Sequence, residues 1–235
     1  MSGVRLIVRD EVRQRFPDYR AVVVEAAGVV NGPSDDESSG WLREAEARAR
    51  LRLAGGAPSA LPQIAAWRAT MSAFGCKPSR YPCSAEALLK RVAKGDELPA
   101  INRLVDLYNA VSVTYALPLG GEDAAQVRGD VVLGPAAADE VFDGGDPPAP
   151  GEIVWRDDLG VTCRAWNWRQ GVRTRITEAS SHVYFLLEAM EEQGAAALGP
   201  ATEELRAHLQ AERVEVRDLT LAGRDARGRA ASPPA

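Results

Sequence analysis

Histidine and cysteine are scarce in this chain: two histidines, His182 and His208, and three cysteines, Cys76, Cys83 and Cys163, in 235 residues. The cysteines are odd in number and widely spaced, with no C-x-x-C pair, which argues against a disulfide framework and against a structural zinc site. So few histidines leave little room for a Ser-His-Asp arrangement. No apolar run approaches the roughly 20 residues that cross a bilayer. The opening MSGVRLIVRDEVRQRF mixes charges of both signs and has no apolar h-region, so no signal peptide is expected and the reading is a cytoplasmic protein. A basic excess is also missing. The net charge of −5 excludes a broad, charge-driven nucleic-acid binder but leaves room for a local basic patch.

What is present is ordinary for a globular chain, with 46% hydrophobic and 26% charged residues. The segment 16–30 reads as a strand, and SDDESSG as a solvated loop with Ser38 or Ser39 capping the helix WLREAEARARLRL that follows. Further helices are expected from Pro58 or Pro62 to Gly75, from Ser84 to Gly95, and over INRLVDLYNAVSVTYA, which stops at Pro118 and runs into a Gly-Gly turn. Short β-rich runs come later: VRGDVVLG, EIVWRD, GVTCRAWNW, HVYFLLEAM and VEVRDLTLA, with one helix, GPATEELRAHLQAE, among them. Helices early and strands late, without βαβ alternation, predict an α+β fold. Residues 1–222 read as a single domain and 223–235 as a disordered tail.

The run INRLVDLYNAVSVTYALPLGGED, residues 101–123, resembles without a gap the segment of the phenylalanyl-tRNA synthetase beta subunit that reads roughly I-N-N-V-V-D-x-T-N-Y-V and continues to Q-P-x-H-A-x-D. The shared letters are Ile101, Asn102, Val105, Asp106, Asn109, Val111, Pro118 and Asp123. That segment belongs to the B3/B4 editing module, which hydrolyses wrongly charged aminoacyl-tRNA. GCKPSRYPCSAEALLKRV and TCRAWNWRQGVRTRITEAS are similar to runs of freestanding proteins with this module. The resemblance spans roughly residues 15–215. It implies an editing module without its synthetase, built as layered β-sheets with helices packed on one side, needing no metal or cofactor. Two positions depart from the pattern: Tyr108 stands where the synthetase has threonine, and Gly120 where it has histidine. Both of those family residues line the editing pocket, so the synthetase's preference for tyrosine esters is not carried over. The closest match to the module's N-x-L-L-E strand is FLLE, which makes Glu188 a candidate reader of the bound amino acid.

Ester hydrolysis needs a placed water and a donor to the tetrahedral oxyanion. Gly120 and Gly121 are candidate backbone donors, or else simply a tight turn. Asp106 and Asn109, one helical turn apart, either orient a water or the substrate amino group, or tie the helix to neighbouring backbone. The run from Arg164 to Thr177 carries four arginines and two tryptophans and no acid. Arg164, Arg169, Arg173 and Arg175 are candidate phosphate clamps on a hairpin, with Trp168 stacking on a terminal base, Asn167 in the substrate site, and Lys77, Ser79 and Arg80 at the same mouth. The opposing reading is a packed strand with solvated arginines. The function expected from all of this is trans-editing deacylation of mischarged tRNA, with tRNA the partner. A non-catalytic RNA-binding module and a small-molecule (amino acid) pocket stand as alternatives.

Overall fold

The computed structural model describes residues 3–219, and the tail expected at 223–235 lies outside them. In chain order the elements are β1 (Leu6–Val8), α1 (Asp10–Arg15), β2 (Arg20–Ala27), α2 (Asp36–Leu53), α3 (Pro62–Ala73), α4 (Ser84–Ala93), α5 (Arg103–Tyr115), β3 (Leu119–Asp123), β4 (Val131–Pro135), β5 (Ile153–Asp157), β6 (Gly160–Arg164), β7 (Arg169–Gln170), β8 (His182–Ala189), α6 (Glu192–His208) and β9 (Arg213–Asp218). One sheet has the order β1-β4-β5-β6-β7 and the other β3-β8-β2-β9. The β1–β4 pair is parallel and every other ladder between these strands is antiparallel. The chain is an α+β fold.

Residues of β8 and β2 alternate between two cores, which is why HVYFLLEA reads as a nearly unbroken apolar run: a sheet buried on both faces needs apolar side chains on both. Val23, Tyr184 and Leu186 face a core shared with Leu6, Leu133 and Trp155 of the other sheet. Val24, Phe185 and Leu187 face the opposite way, against Leu107 and Val111 of α5 and Leu198 and Leu205 of α6. Helices α3 and α4 add Ile64, Trp67, Met71 and Leu89 to the core between the sheets.

Several local expectations are corrected. Helix α2 begins inside the run read as a loop: Asp35 is its cap, accepting from Ser38 N at 2.7 Å, while Ser38 sits in the first turn. Helix α4 is capped by Cys83 without a side-chain bond, not by Ser84. Helix α6 starts at Glu192 and runs through Pro200. The stretch AWNW leaves the strand to form the turn between β6 and β7. The largest correction is at Gly120 and Gly121, which form no turn. They lie within β3, paired in register with Leu186 and Phe185. The reversal happens earlier, at Ala116, whose left-handed φ of 55° ends α5 before Pro118.

Candidate functional site

Between the two sheets lies a cavity of about 280 Å³, with β3 and β8 on one side, the turn between β6 and β7 and residues of β5 on another, and α4 and α5 at its margin. Along β8 the alternation directs Tyr184, Leu186 and Glu188 to the cavity face, and the β3 register puts Gly120 and Glu122 beside them.

Glu188 is buried and held by three donors. Tyr19 Oη reaches its Oε1 at 2.7 Å, Trp166 Nε1 the same oxygen at 2.9 Å, and Asn167 Nδ2 its Oε2 at 3.0 Å. Burial raises its pKa, and the bonds from Tyr19, Asn167 and Trp166 oppose the rise by favouring the charged form. The indole N–H of Trp155 acts on the same carboxylate without reaching hydrogen-bond geometry.

The turn that delivers two of these donors is held in an unusual backbone shape. Ala165 and Trp166 have φ of 41° and 63°, a region disfavoured for residues with a side chain. Glu152 secures it, accepting Ala165 N at 2.8 Å while its carboxylate pairs with Arg164 at 3.0 and 2.9 Å. Trp166 is fully buried, with ring centroids 5.2 Å from Phe16, 5.0 Å from Tyr19 and 5.5 Å from Trp67. Trp168 is half-buried at the cavity and meets Tyr81 at 4.7 Å. Ser84 N donates to Asn167 O at 3.1 Å, which fastens the loop from Cys76 to Cys83 to the same turn.

The polar stripe of α5 divides by role. Asn102 is its N-cap, accepting Val105 N at 3.1 Å. Asp106 is fully buried and accepts from Ser38 Oγ and from Ile101 N, both at 2.8 Å. It is a tie between α2 and α5 and is not part of the cavity wall. Asn109 does line the cavity, and its side chain makes no hydrogen bond to other described residues. Tyr108 lines it as well, and burial pushes its hydroxyl well above the ordinary phenol range, so it stays protonated.

The glycines also separate. Glu188 N donates to Pro118 O at 3.0 Å, marking a closely bonded pair, so the alternation of an antiparallel ladder commits the Gly120 N–H to Leu186. A Cβ on Gly120 would meet nothing within 4 Å, whereas on Gly121 it would lie 2.7 Å from Ile176 and 2.8 Å from Phe185. The Gly121 carbonyl accepts from Gln170 Nε2 at 2.8 Å.

Of the cations singled out in the sequence, Arg164 is buried against Glu152, and Arg173 is paired with Asp157 at 2.9 and 2.6 Å. Arg175 donates to Gly171 O at 3.0 Å. Arg164 and Arg173 are framework ties with their charges neutralised, whereas Arg175 is exposed and makes no ion pair to a described residue. Lys77, Arg80 and Arg169 are exposed and have no ion pair to a described residue. Arg80 stands over Tyr81 at 5.2 Å and Arg169 over Trp168 at 5.8 Å.

Glu122 was not singled out in the sequence. It is buried, lines the cavity and accepts from Tyr184 Oη at 3.0 Å. Burial pushes its carboxyl up to about 7, opposed by the bond from Tyr184 and by the nearby hydroxyls of Thr174 and Thr162. Its signal was hidden because its position looked like part of a turn, where a glutamate is unremarkable. Among the described residues no group of three or more His, Cys, Asp or Glu could hold a metal ion, and no helix is long and apolar enough to cross a membrane.

A family model described as the B3/4 domain matches residues 66–208, a span that contains α4, α5, β3 to β8 and α6. No curated protein matches the chain. Among solved structures, an N-terminal fragment of the phenylalanyl-tRNA synthetase beta-subunit from Pyrococcus horikoshii is similar at 9% identity with a TM-score of 0.43. The match covers 92% of this chain and 51% of that one, so the chain spans about half the length of the fragment.

Proposed function

The chain belongs to the B3/4 domain family, and from that premise we propose that it is a trans-editing deacylase that hydrolyses the ester of mischarged aminoacyl-tRNA. The observation that carries the reading is the cavity itself: a space of about 280 Å³, on the scale of an amino-acid side chain with its ester, with a buried carboxylate fixed on its wall by Tyr19, Trp166 and Asn167.

The residues divide the work as follows. Glu188 and Asn167 read the side chain of the bound amino acid, Glu188 through a carboxylate whose orientation is set before the ligand arrives. Gly120 leaves the floor of the cavity bare, so that the ester lies close to the β3 backbone. Its N–H belongs to the sheet, and the donor to the tetrahedral oxyanion is the unengaged amide of Asn109. With glycine rather than histidine at position 120, the hydroxyl of the tRNA's terminal ribose holds the attacking water. Lys77, Arg80 and Arg169 meet the phosphates near the acceptor end, with Trp168 and Tyr81 beside them for stacking on an unpaired base. This small patch suits weak, local RNA binding by an acidic chain. An editor of this kind is needed because synthetase pockets separate amino acids differing by one methylene by only about 1–3 kcal/mol.

The test is release of amino acid from a panel of correctly and wrongly charged tRNAs by the wild-type chain and by Glu188→Ala. Selective release of one amino acid, with the selectivity altered in the variant, is the expected result. Binding of tRNA without cleavage of any ester would replace this reading with a non-catalytic RNA-binding module.

A further inference from the structure

The cavity wall has carboxylates and no cation. Glu122 and Glu188 both line it, and none of the described residues lining it is lysine, arginine or histidine. Five aromatic side chains, Tyr108, Trp155, Trp166, Trp168 and Tyr184, supply much of the rest. The negative faces of such rings favour a cation over an anion. The two carboxylates are not equivalent. Glu188 has both oxygens occupied, whereas the side-chain donor at bonding distance from Glu122 is Tyr184. Glu122 is opposite Tyr184 in register, and Tyr184 precedes Glu188 by four residues along β8, about 13 Å of strand. The carboxylates therefore stand at different places along the cavity, with Gly120 between them. The charged groups around Glu122 leave it available. Asp157 is already paired with Arg173, and Arg175, whose backbone bridges to Glu122, is exposed, directs its Nε to Gly171 O and makes no ion pair with Glu122. Two lining residues also carry buried polar atoms with no partner, Oδ1 of Asn167 and Nε1 of Trp155, an acceptor and a donor.

From this arrangement we infer that Glu122 is the partner of the ligand's ammonium group, and that the cavity takes amino acids only when their carboxyl group is masked as an ester or amide. The inference rests on the deacylase reading for its biological substrate. A free amino acid brings an anion that finds two carboxylates and no cation among the described residues of the wall. An aminoacyl ester brings only the ammonium, and its carbonyl asks for a neutral donor. A carboxyl held at about 7 by burial is ready to ionise fully once an ammonium is beside it. The same asymmetry clears the product. Hydrolysis adds water across the acyl C–O bond, returns a hydroxyl to the ribose and leaves an amino acid whose carboxyl gives a proton to solvent. The new carboxylate is then repelled from the site that made it.

The experiment is calorimetric titration of the full chain with a panel of amino-acid amides, the matching free amino acids and the matching N-acetyl amides, using wild type and Glu122→Gln. At least one amide is expected to bind, with its free acid and its N-acetyl form each weaker by roughly tenfold or more, the loss typical of a charged hydrogen bond. In Glu122→Gln the advantage over the N-acetyl form should disappear. Equal binding of amide and free acid, no binding of any amide, or an unchanged preference in the variant would each overturn the inference. If the variant does not fold, the three-ligand comparison on wild type decides. Deacylation without the amide preference would remove this inference alone. The preference without deacylation would remove the esterase reading and leave an amine site.

Discussion

The indole nitrogen of Trp166 stands 2.9 Å from Oε1 of Glu188 and joins the tight turn after β6 to the cavity-facing end of β8. The ring of Trp166 is packed among Phe16, Tyr19 and Trp67, so the bond sets the carboxylate's position from the core outward. Removing one donor while the carboxylate stays buried costs about 1–3 kcal/mol. Tyr19→Phe should therefore lower stability by that amount in chemical denaturation and raise the Glu188 pKa further. Trp166→Ala, which also empties a fully buried site, should cost about 3–5 kcal/mol.

The paired glycines of β3 should respond in opposite ways to the same methyl group. Gly120→Ala meets nothing within 4 Å and should fold with an unchanged melting temperature while weakening ligand binding, because the methyl occupies the cavity. Gly121→Ala places a carbon 2.7 Å from Ile176 and 2.8 Å from Phe185 and should destabilise by about 1–3 kcal/mol. Thermal melts of the two variants separate the cases.

The arginines should divide between framework and surface. Arg164→Ala leaves Glu152 buried without its partner and should cost about 3–5 kcal/mol of stability. Lys77→Ala and Arg169→Ala should leave the melting temperature unchanged, weaken tRNA binding across tRNA sequences and shallow its salt dependence. Binding isotherms at several salt concentrations, beside thermal melts, test both halves.

Glu122 gives the fold a pH dependence of known sign. Its carboxyl is raised from the ordinary 4.5 to about 7, so the folded chain holds this proton more tightly than the unfolded chain does. Its contribution is fully present below about pH 4.5 and is lost as pH rises through about 7, on the order of 3 kcal/mol in all. Glu122→Gln removes this loss. The stability of the variant relative to wild type should rise between pH 5 and pH 8 in urea titrations, and a flat difference would contradict the assignment.

The fold class, the strand at β2, the helical run of α5 with its stop before Pro118, the late strands and the family are all legible in the sequence. These follow from short-range physics, in which periodicity, caps and breakers act over a few residues, and from a gapless run of matching letters. Glu188 and Asn167 are both candidates from the sequence, and the fold brings the two within hydrogen-bond distance. That Gly120 and Gly121 are strand emerges from the folded chain, because their conformation is imposed by pairing with β8 rather than by their own preference. The fold likewise makes Asp106 a tie to Ser38 while Asn109, three residues on, meets the cavity. A helix period places both on one side but does not say what stands opposite each. The charge of an arginine is written in the sequence, but whether it is spent on a partner is not. Glu152 lies 12 residues from Arg164 and Asp157 lies 16 from Arg173, and the fold closes those distances while Lys77, Arg80, Arg169 and Arg175 face solvent.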